Sequence, residues 1–272
     1  MEVSAASVPG SSTVENQDGF YSTRTMAIVL DGLSVPAGLP MGCRHSTPWL
    51  VHQIGTGLIS RAEGAEVSLA TALAATIEAV NDLHGESCDL SRGTVPASTA
   101  VILRQRGEHL DYLVLSDSVL LLDIGDELKV VTDNRVEDVA RESMKSALSS
   151  PIGTREHAEK VSELVRVQQG LRNVEAGYWV ASTAPEAASQ AITGTVSLSR
   201  VKRAALLTDG ATRLVDTFSH LTWSQLFQVL EDSGPSALIS KTREQEDADP
   251  EGVRWPRFKK SDDATALLVS SL

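Results

Sequence analysis

Aspartates stand at the ends of several apolar runs that the sequence predicts as β-strands. They are Asp18 and Asp31 around the first run, Asp117 between two runs, Asp209 after another and Asp262 just before the last. An ionised carboxylate at the edge of a sheet is unfavourable without a compensating positive group, and converging carboxylates raise one another's pKa values. Mg²⁺ and Mn²⁺ prefer oxygen ligands and would relieve that repulsion. The spacing therefore predicts one divalent-cation site assembled from separate strands.

Each of these aspartates also has an ordinary structural interpretation. Asp-Gly pairs such as Asp31-Gly32 and Asp209-Gly210 are common in hairpin turns, and aspartate often caps helices. Taken singly, most such short motifs are structural. The functional prediction depends on the whole set and on its order along the chain.

The elements that must position these residues are short strands and amphipathic helices. Between residues 97 and 132, four short apolar runs are separated by tight polar breaks. That pattern is typical of an antiparallel meander and not of alternating β-α-β units. Apolar residues also recur at helical spacing from Leu69 to Leu83, and Gly85 is predicted to end that helix.

The chain is predicted to form a single domain over residues 15–272. Residues 1–14 are small and polar and are predicted to be a flexible tail. A charged, periodic stretch over about 136–172 indicates a helical insert, and the charge-rich residues 241–263 indicate an exposed connection before the last strand.

Composition restricts the partners of this chain. Its 24 Lys+Arg and 36 Asp+Glu give a formal net charge of −12 over 272 residues, which argues against binding nucleic acid or an anionic membrane surface. No stretch is typical of a signal peptide or of a membrane-spanning helix. Two cysteines are too few for a disulfide framework, so we expect a reducing, cytoplasmic location.

Six short motifs, five of which contain these aspartates, follow one another along the chain. They are Asn16-Gln17-Asp18, Val29-Leu30-Asp31-Gly32, Ala97-Ser98-Thr99-Ala100, Ser116-Asp117-Ser118, Leu207-Thr208-Asp209-Gly210 and Asp262-Asp263-Ala264-Thr265. Each is weak alone, but in this order they resemble the metal-dependent protein phosphatases, the PPM or type 2C family. The resemblance runs from about Glu15 to the C-terminus, and the segment 42–49 is similar to a divergent actinobacterial branch.

The resemblance implies an α+β fold in which two antiparallel β-sheets form a sandwich flanked by α-helices, in four layers. It implies a serine/threonine phosphoprotein phosphatase, whose substrate is a phosphorylated protein or a small phosphomonoester. Water is activated there by two Mg²⁺ or Mn²⁺ ions, with a third, weaker ion in bacterial members.

The resemblance also implies a role for each residue of the site. Asp31 matches the carboxylate that bridges both metals, and the carbonyl of Gly32 matches a ligand of one. The other matches are Asp209 and Asp262 as ligands of the second metal, Asp18 as a ligand acting largely through metal-bound water, and Asp117 as a ligand of the third. Asp31 and Asp209 are thus the predicted catalytic carboxylates.

The substrate-handling positions depart from the family pattern. Residues 1–17 contain no arginine to hold the substrate phosphate, and Gln17 occupies a position that is usually acidic. We therefore predict that Arg44 and His45, in the segment after the first metal motif, act as phosphate ligand and general acid. The alternative is that both are ordinary loop residues. A second alternative, from a different class, is a pseudophosphatase that keeps the fold as a binding or regulatory module.

The residues allow two further interpretations. Cys43, His45, His84 and Cys88 could form a zinc site, but the predicted helix end at Gly85 separates His84 from Cys88. Cys43-x-His45 is also not a zinc-finger spacing, so buried, neutral cysteines are favoured. A haloacid-dehalogenase-type phosphatase is excluded, because its second aspartate would fall on Leu33 and its parallel sheet conflicts with the meander.

Overall fold

The computed structural model describes residues 1–35, 42–64, 66–90 and 94–272. Within them lie ten strands, β1 Glu2–Val8, β2 Gly19–Ser22, β3 Met26–Leu30, β4 Ala100–Arg106, β5 His109–Leu115, β6 Val119–Ile124, β7 Glu127–Val131, β8 Ile192–Ser197, β9 Val201–Leu207 and β10 Ala264–Ser271. The α-helices of the described ranges are α1 Thr47–Ala62, α2 Leu69–His84, α3 Arg135–Val139, α4 Arg141–Ala147, α5 Arg155–Leu171, α6 Asp209–Thr212 and α7 Trp223–Ala248. None of the helices in these ranges is long and apolar enough to cross a membrane.

The strands form two five-stranded antiparallel sheets. One has the order β1-β10-β9-β6-β7 and the other β2-β3-β4-β5-β8. The sheets pack face to face, α1 and α2 cover the outer face of the second sheet, and α7 covers the outer face of the first. The predicted four-layer sandwich is confirmed.

Strand β3 shows why the sequence folds in this way. Met26, Ile28 and Leu30 pack against α1 and α2, whereas Ala27 and Val29 point into the core between the sheets. Successive side chains of a strand point to opposite faces. Because β3 is covered on both faces, it is apolar throughout, and the first charged residue, Asp31, comes directly after its last residue.

The predicted flexible tail is wrong for residues 2–8, which form the edge strand β1. This strand pairs with β10 along its length, and the hydroxyls of Ser7 and Thr265 lie 2.7 Å apart. Val3 packs against the inner core while Ala6 packs on the α7 side. The strand lacks an apolar run because much of its surface is exposed, so its main-chain pairing with β10 is invisible to hydrophobic periodicity.

Helix α7 continues into the charged segment that was predicted to be an exposed connection. Residues 241–248 are helical, and Glu246 is completely buried. Its carboxylate accepts hydrogen bonds from Arg213 at 2.6 Å and from Arg243 at 2.7 Å. Part of this charge-rich segment therefore belongs to a buried network of ion pairs and not to an exposed connection.

Candidate metal centre

Five of the six predicted metal ligands, four aspartates and Gly32, meet at one end of the sandwich. Leu207, the last residue of β9, pairs with the start of β6 on one side and the start of β10 on the other. The residues just outside these strand ends therefore converge, and Asp117, Asp209 and Asp262 line one cleft. Asp31 enters the same cleft from the end of β3 in the facing sheet.

The two Asp-Gly motifs are not hairpin turns in this fold. Gly32 forms an isolated antiparallel bridge with Ser98, and a Cβ on Gly32 would lie 2.3 Å from the carbonyl oxygen of Gln17. A Cβ on Gly210 would lie 2.0 Å from the carbonyl oxygen of Asp263. Both glycines permit close backbone packing beside the cleft, so the ordinary interpretation as turn residues does not apply to them.

Burial and repulsion among the carboxylates together raise the pKa values of Asp31 and Asp209 in the cleft. Burial raises the pKa of Asp31 well above its usual value, and Asp209 is the strongest of the like charges that add to this. Asp209 keeps a solvent-exposed edge, but desolvation within the cleft and the charge of Asp262 raise its pKa to about 8, against the attraction of Arg213. These carboxylates repel one another in the absence of a cation.

Asp117 lies in a strained turn between β5 and β6. Burial raises its pKa to about 6, although its own backbone N–H and the hydroxyl of Ser116 offset part of this. Ser116 adopts a positive φ of 69° and donates a hydrogen bond from Oγ to Oδ1 of Asp117 at 3.2 Å. Positive φ is unusual outside glycine, so the turn holds this carboxylate at the cleft at a conformational cost.

Asp18 lies immediately before β2, behind the residues that line the cleft. Its Oδ2 accepts a hydrogen bond from Thr208 at 3.0 Å, whereas its Oδ1 is buried and has no hydrogen-bond partner. Burial raises its pKa to about 7, opposed by hydrogen bonds from Thr265 and Thr208 and assisted by the charge of Asp262. A buried oxygen without a donor is an unsatisfied acceptor that a cation or its water can satisfy.

Asp262 differs from the others because two cations already contact it. Lys259 forms an ion pair with its Oδ1, and Arg213 donates to its Oδ2 at 3.2 Å. Burial alone would raise the pKa of Asp262, but these two positive charges more than offset it and lower the pKa. Lys259 also donates to the hydroxyl of Ser34 at 3.2 Å, so its ammonium spans the cleft.

Helix α5 of the predicted insert supplies one wall of the cleft. Val165, Gln168 and Arg172 line it, and Arg172 donates to the carbonyl of Val95 at 3.3 Å. The buried Nε of Arg172 has no hydrogen-bond partner. The sequence pattern did not identify Arg172 as a residue of the cleft. Its only signal is that it directly follows the last residue of α5.

The structure does not support the predicted roles of Arg44 and His45. Neither residue is among those that line the cleft, and the side chain of Arg44 is exposed. The ring of His45 stacks on Trp49 and its Nδ1 lies 3.4 Å from the sulfur of Cys43. Proximity to the first metal motif in the sequence was therefore misleading, because the segment turns away toward α1 and α2.

The donor set of the cleft suits hard divalent cations. The described acidic residues at this end offer carboxylate oxygens from both sheets, with one unsatisfied oxygen on Asp18 and mutually repelling charges on Asp31 and Asp209. Oxygen-only sites of this kind favour Mg²⁺ or Mn²⁺ over softer metals. The Lys259–Asp262 ion pair must open before Asp262 can act as a ligand.

Comparisons with known proteins place this fold. No family model matches the sequence, and no curated protein does. Among solved structures, PppA of Pseudomonas aeruginosa, described as a key regulatory component of T6SS, is 18% identical, with 100% of this chain and 97% of that chain covered and a TM-score of 0.60. The serine/threonine phosphatase PstP/Ppp of Mycobacterium tuberculosis is 14% identical, with 99% and 97% covered and a TM-score of 0.60. The catalytic domain of PstP, solved in complex with two manganese ions, is 15% identical over the same shares, with a TM-score of 0.58. The chain therefore has the fold of the PPM phosphatases over its whole length.

Proposed function

We propose that this chain is a divergent member of the metal-dependent phosphatases that hydrolyses phosphoserine or phosphothreonine monoesters with water activated by Mg²⁺ or Mn²⁺. The observation that carries the proposal is the convergence of Asp31, Asp117, Asp209 and Asp262 on one cleft. The full-length likeness to phosphatase structures supports it. A structural acidic surface does not require carboxylates that converge and repel one another, so their convergence favours a functional role.

The resemblance to the PPM family implies which residues would hold the ions. Asp31, the Gly32 carbonyl, Asp209 and Asp262 would hold two ions, and Asp18 would act through water. Asp117 would hold a third, weaker ion. Bound there, a pair of divalent cations lowers the pKa of a shared water and neutralises charge on the phosphoryl oxygens.

The chain's own cations would handle the substrate. Arg172 lines the cleft and its buried Nε has no hydrogen-bond partner, and a guanidinium binds phosphate oxygens with good geometry. Lys259 would leave Asp262 when the metals bind, and its ammonium would then be free to neutralise the substrate. No serine, cysteine or histidine nucleophile is required by this scheme.

The Lys259–Asp262 ion pair also favours a second candidate function, a pseudophosphatase. A lysine ammonium in contact with a ligand carboxylate compensates the negative charge that a cation would otherwise compensate. If that replacement is permanent, the fold would serve as a binding module that does not turn over substrate.

Metal binding and hydrolysis measured together test the proposal. We expect Mn²⁺ to bind in calorimetry and to support hydrolysis of p-nitrophenyl phosphate and of a phosphothreonine peptide. Asp209→Asn should abolish hydrolysis, while Asp126→Asn, in the exposed β6–β7 turn, should not change it. Absence of both Mn²⁺ binding and hydrolysis would favour the pseudophosphatase in which Lys259 replaces the cation, and Mn²⁺ binding without hydrolysis would overturn the proposed catalysis.

A further inference from the structure

A second group of metal-binding side chains lies outside the carboxylate cleft. It consists of Cys43, His45, His84 and Cys88, whose donor atoms all lie within 4.8 Å of one another. Cys43 and His45 come from the segment just before α1, His84 is the last residue of α2, and Cys88 follows the 3₁₀ turn after it. Two separate parts of the chain therefore meet at this point.

The donor atoms are spaced like the corners of a tetrahedron. The sulfur of Cys43 lies 3.4 Å from Nδ1 of His45, 3.3 Å from Nδ1 of His84 and 3.4 Å from the sulfur of Cys88. The two Nδ1 atoms are 3.2 Å apart, and the sulfur of Cys88 lies 3.4 Å from Nδ1 of His45. Tetrahedral ligands at zinc–nitrogen and zinc–sulfur lengths of about 2.0 and 2.3 Å are separated by about 3.3–3.8 Å. These five separations lie within about 0.4 Å of those values, and the sixth, between Cys88 and His84, is at most 4.8 Å.

We propose that these two cysteines and two histidines bind one structural zinc ion. Two sulfurs and two imidazole nitrogens in a tetrahedral arrangement are a typical zinc ligand set, and four protein ligands leave no open position for a substrate. The arrangement is not a disulfide, because the sulfurs are 3.4 Å apart whereas a bonded pair lies near 2.05 Å, and both cysteines are free.

Neighbouring groups hold the ligands in the orientation that a zinc ion requires. The backbone N–H of His45 donates to the sulfur of Cys43 at 3.2 Å, a bond that stabilises a thiolate. The ring of Trp49 stacks on His45 with centroids 4.0 Å apart, and its edge packs against His84 at 5.0 Å. Ser87 donates to the carbonyl of His84 at 2.6 Å and closes the turn that carries Cys88.

The site would join α1 to α2 and, through hydrogen bonds, connect both helices to α5, which lines the cleft. The backbone N–H of Gly42, beside Cys43, donates to the carbonyl of Thr94 at 3.0 Å, and the carbonyl of Gly42 accepts from the N–H of Asp89 at 2.8 Å. The side chain of Gln169, on α5, donates to the hydroxyl of Thr94 at 3.0 Å. A zinc ion would thus tie the start of α1 to the end of α2 and, through Thr94, to the helix that lines the cleft.

Metal content and cobalt spectroscopy of the full-length protein test the zinc site. We expect elemental analysis of reduced, purified protein to find one zinc per chain that resists brief dialysis against a weak chelator. Replacement by Co²⁺ should give the intense visible bands of tetrahedral cobalt and a thiolate-to-cobalt charge-transfer band. Cobalt in the all-oxygen cleft would give neither, so this readout is independent of the proposed phosphatase activity.

Single variants then assign the signal to these residues. Cys88→Ser and His45→Ala should each lose the bound zinc and the charge-transfer or tetrahedral bands, while His52→Ala, an exposed histidine on α1, should keep both. Asp209→Asn should also keep the zinc, because it changes only the cleft. Wild-type protein without zinc and without cobalt bands would overturn the proposal, as would thiol titration showing a Cys43–Cys88 disulfide in the folded protein before any reductant is added.

Discussion

Replacing Asp18 by asparagine should stabilise the metal-free protein and weaken its binding of Mn²⁺. In the fold, burial raises the pKa of Asp18 from 3.8 to about 7. A carboxyl whose pKa is raised on folding favours the folded state at low pH, and this contribution is lost as pH rises from about 4 through 7. At about 1.36 kcal/mol per pKa unit, the roughly three units cost the wild-type fold about 4 kcal/mol at pH 7 and above.

The gain from Asp18→Asn will be smaller than that cost. Oδ1 of Asp18 is buried without a partner, so the asparagine side chain would leave one group of its amide unsatisfied there, at about 1–3 kcal/mol. We therefore expect a net stabilisation of about 2 kcal/mol at pH 7, which corresponds to a rise in melting temperature of about 4–8 °C for a chain of this size. At pH 4.5 the charge effect falls to about 1 kcal/mol, so the stabilisation should disappear.

Thermal melts of chelator-treated protein at pH 7 and pH 4.5 measure this effect. Asp126→Asn, in an exposed turn, is the matched control and should leave the melting temperature unchanged at both pH values. Adding Mn²⁺ should raise the melting temperature of the wild type more than that of the variant, because a ligand stabilises the state that binds it. Destabilisation by Asp18→Asn at pH 7, or an equal gain at both pH values, would refute the electrostatic account of the cleft.

Three other substitutions test the cations around the site. Lys259→Met removes the competitor for Asp262 and should tighten Mn²⁺ binding by about 1 kcal/mol, or about fivefold, in calorimetry; weaker binding would show that the ammonium does not compete. If the chain is a phosphatase, Arg172→Ala should raise KM for a phosphopeptide about tenfold with little change in kcat, and Arg172→Lys should restore part of the loss. Arg213→Met leaves the buried Glu246 carboxylate with one partner fewer and should reduce the free energy of unfolding by about 3 kcal/mol, measured by urea denaturation. Adding Glu246→Gln to that variant should recover part of the loss, and no recovery would place the effect elsewhere.

The sequence was sufficient to predict the sandwich and the aspartates at strand ends because both depend on local signals. The apolar run Met26–Leu30 is buried on both faces, and Asp31 stands where that run ends. The predicted meander over residues 97–132 was wrong, because β4 and β5 pair in one sheet and β6 and β7 in the other, so the chain crosses between the sheets at Asp117. Strand β1 gave no such signal, because its stability comes from main-chain pairing with β10 and from small side chains.

The cations of the cleft could not be predicted in the same way. Lys259 lies in an irregular segment, and Arg172 follows the end of a helix, so neither belongs to a periodic pattern that specifies its direction. Their positions depend on how the insert and the segment before β10 pack across the cleft. Long side chains of this kind reach their partners through tertiary packing, about which residue spacing says little.

In the cysteine–histidine group, a correct local prediction did not reveal that the four side chains converge. Gly85 was predicted to end α2 between His84 and Cys88, and it does so with a positive φ of 52°. A helix end argues against a shared site, since the two residues no longer lie on one helical face. In the fold, the 3₁₀ turn Gly85–Ser87 that follows carries Cys88 back to within the same 4.8 Å group as His84. The helix stop is therefore part of the proposed zinc site, because a continuing helix would carry Cys88 further along the helix axis and away from Cys43.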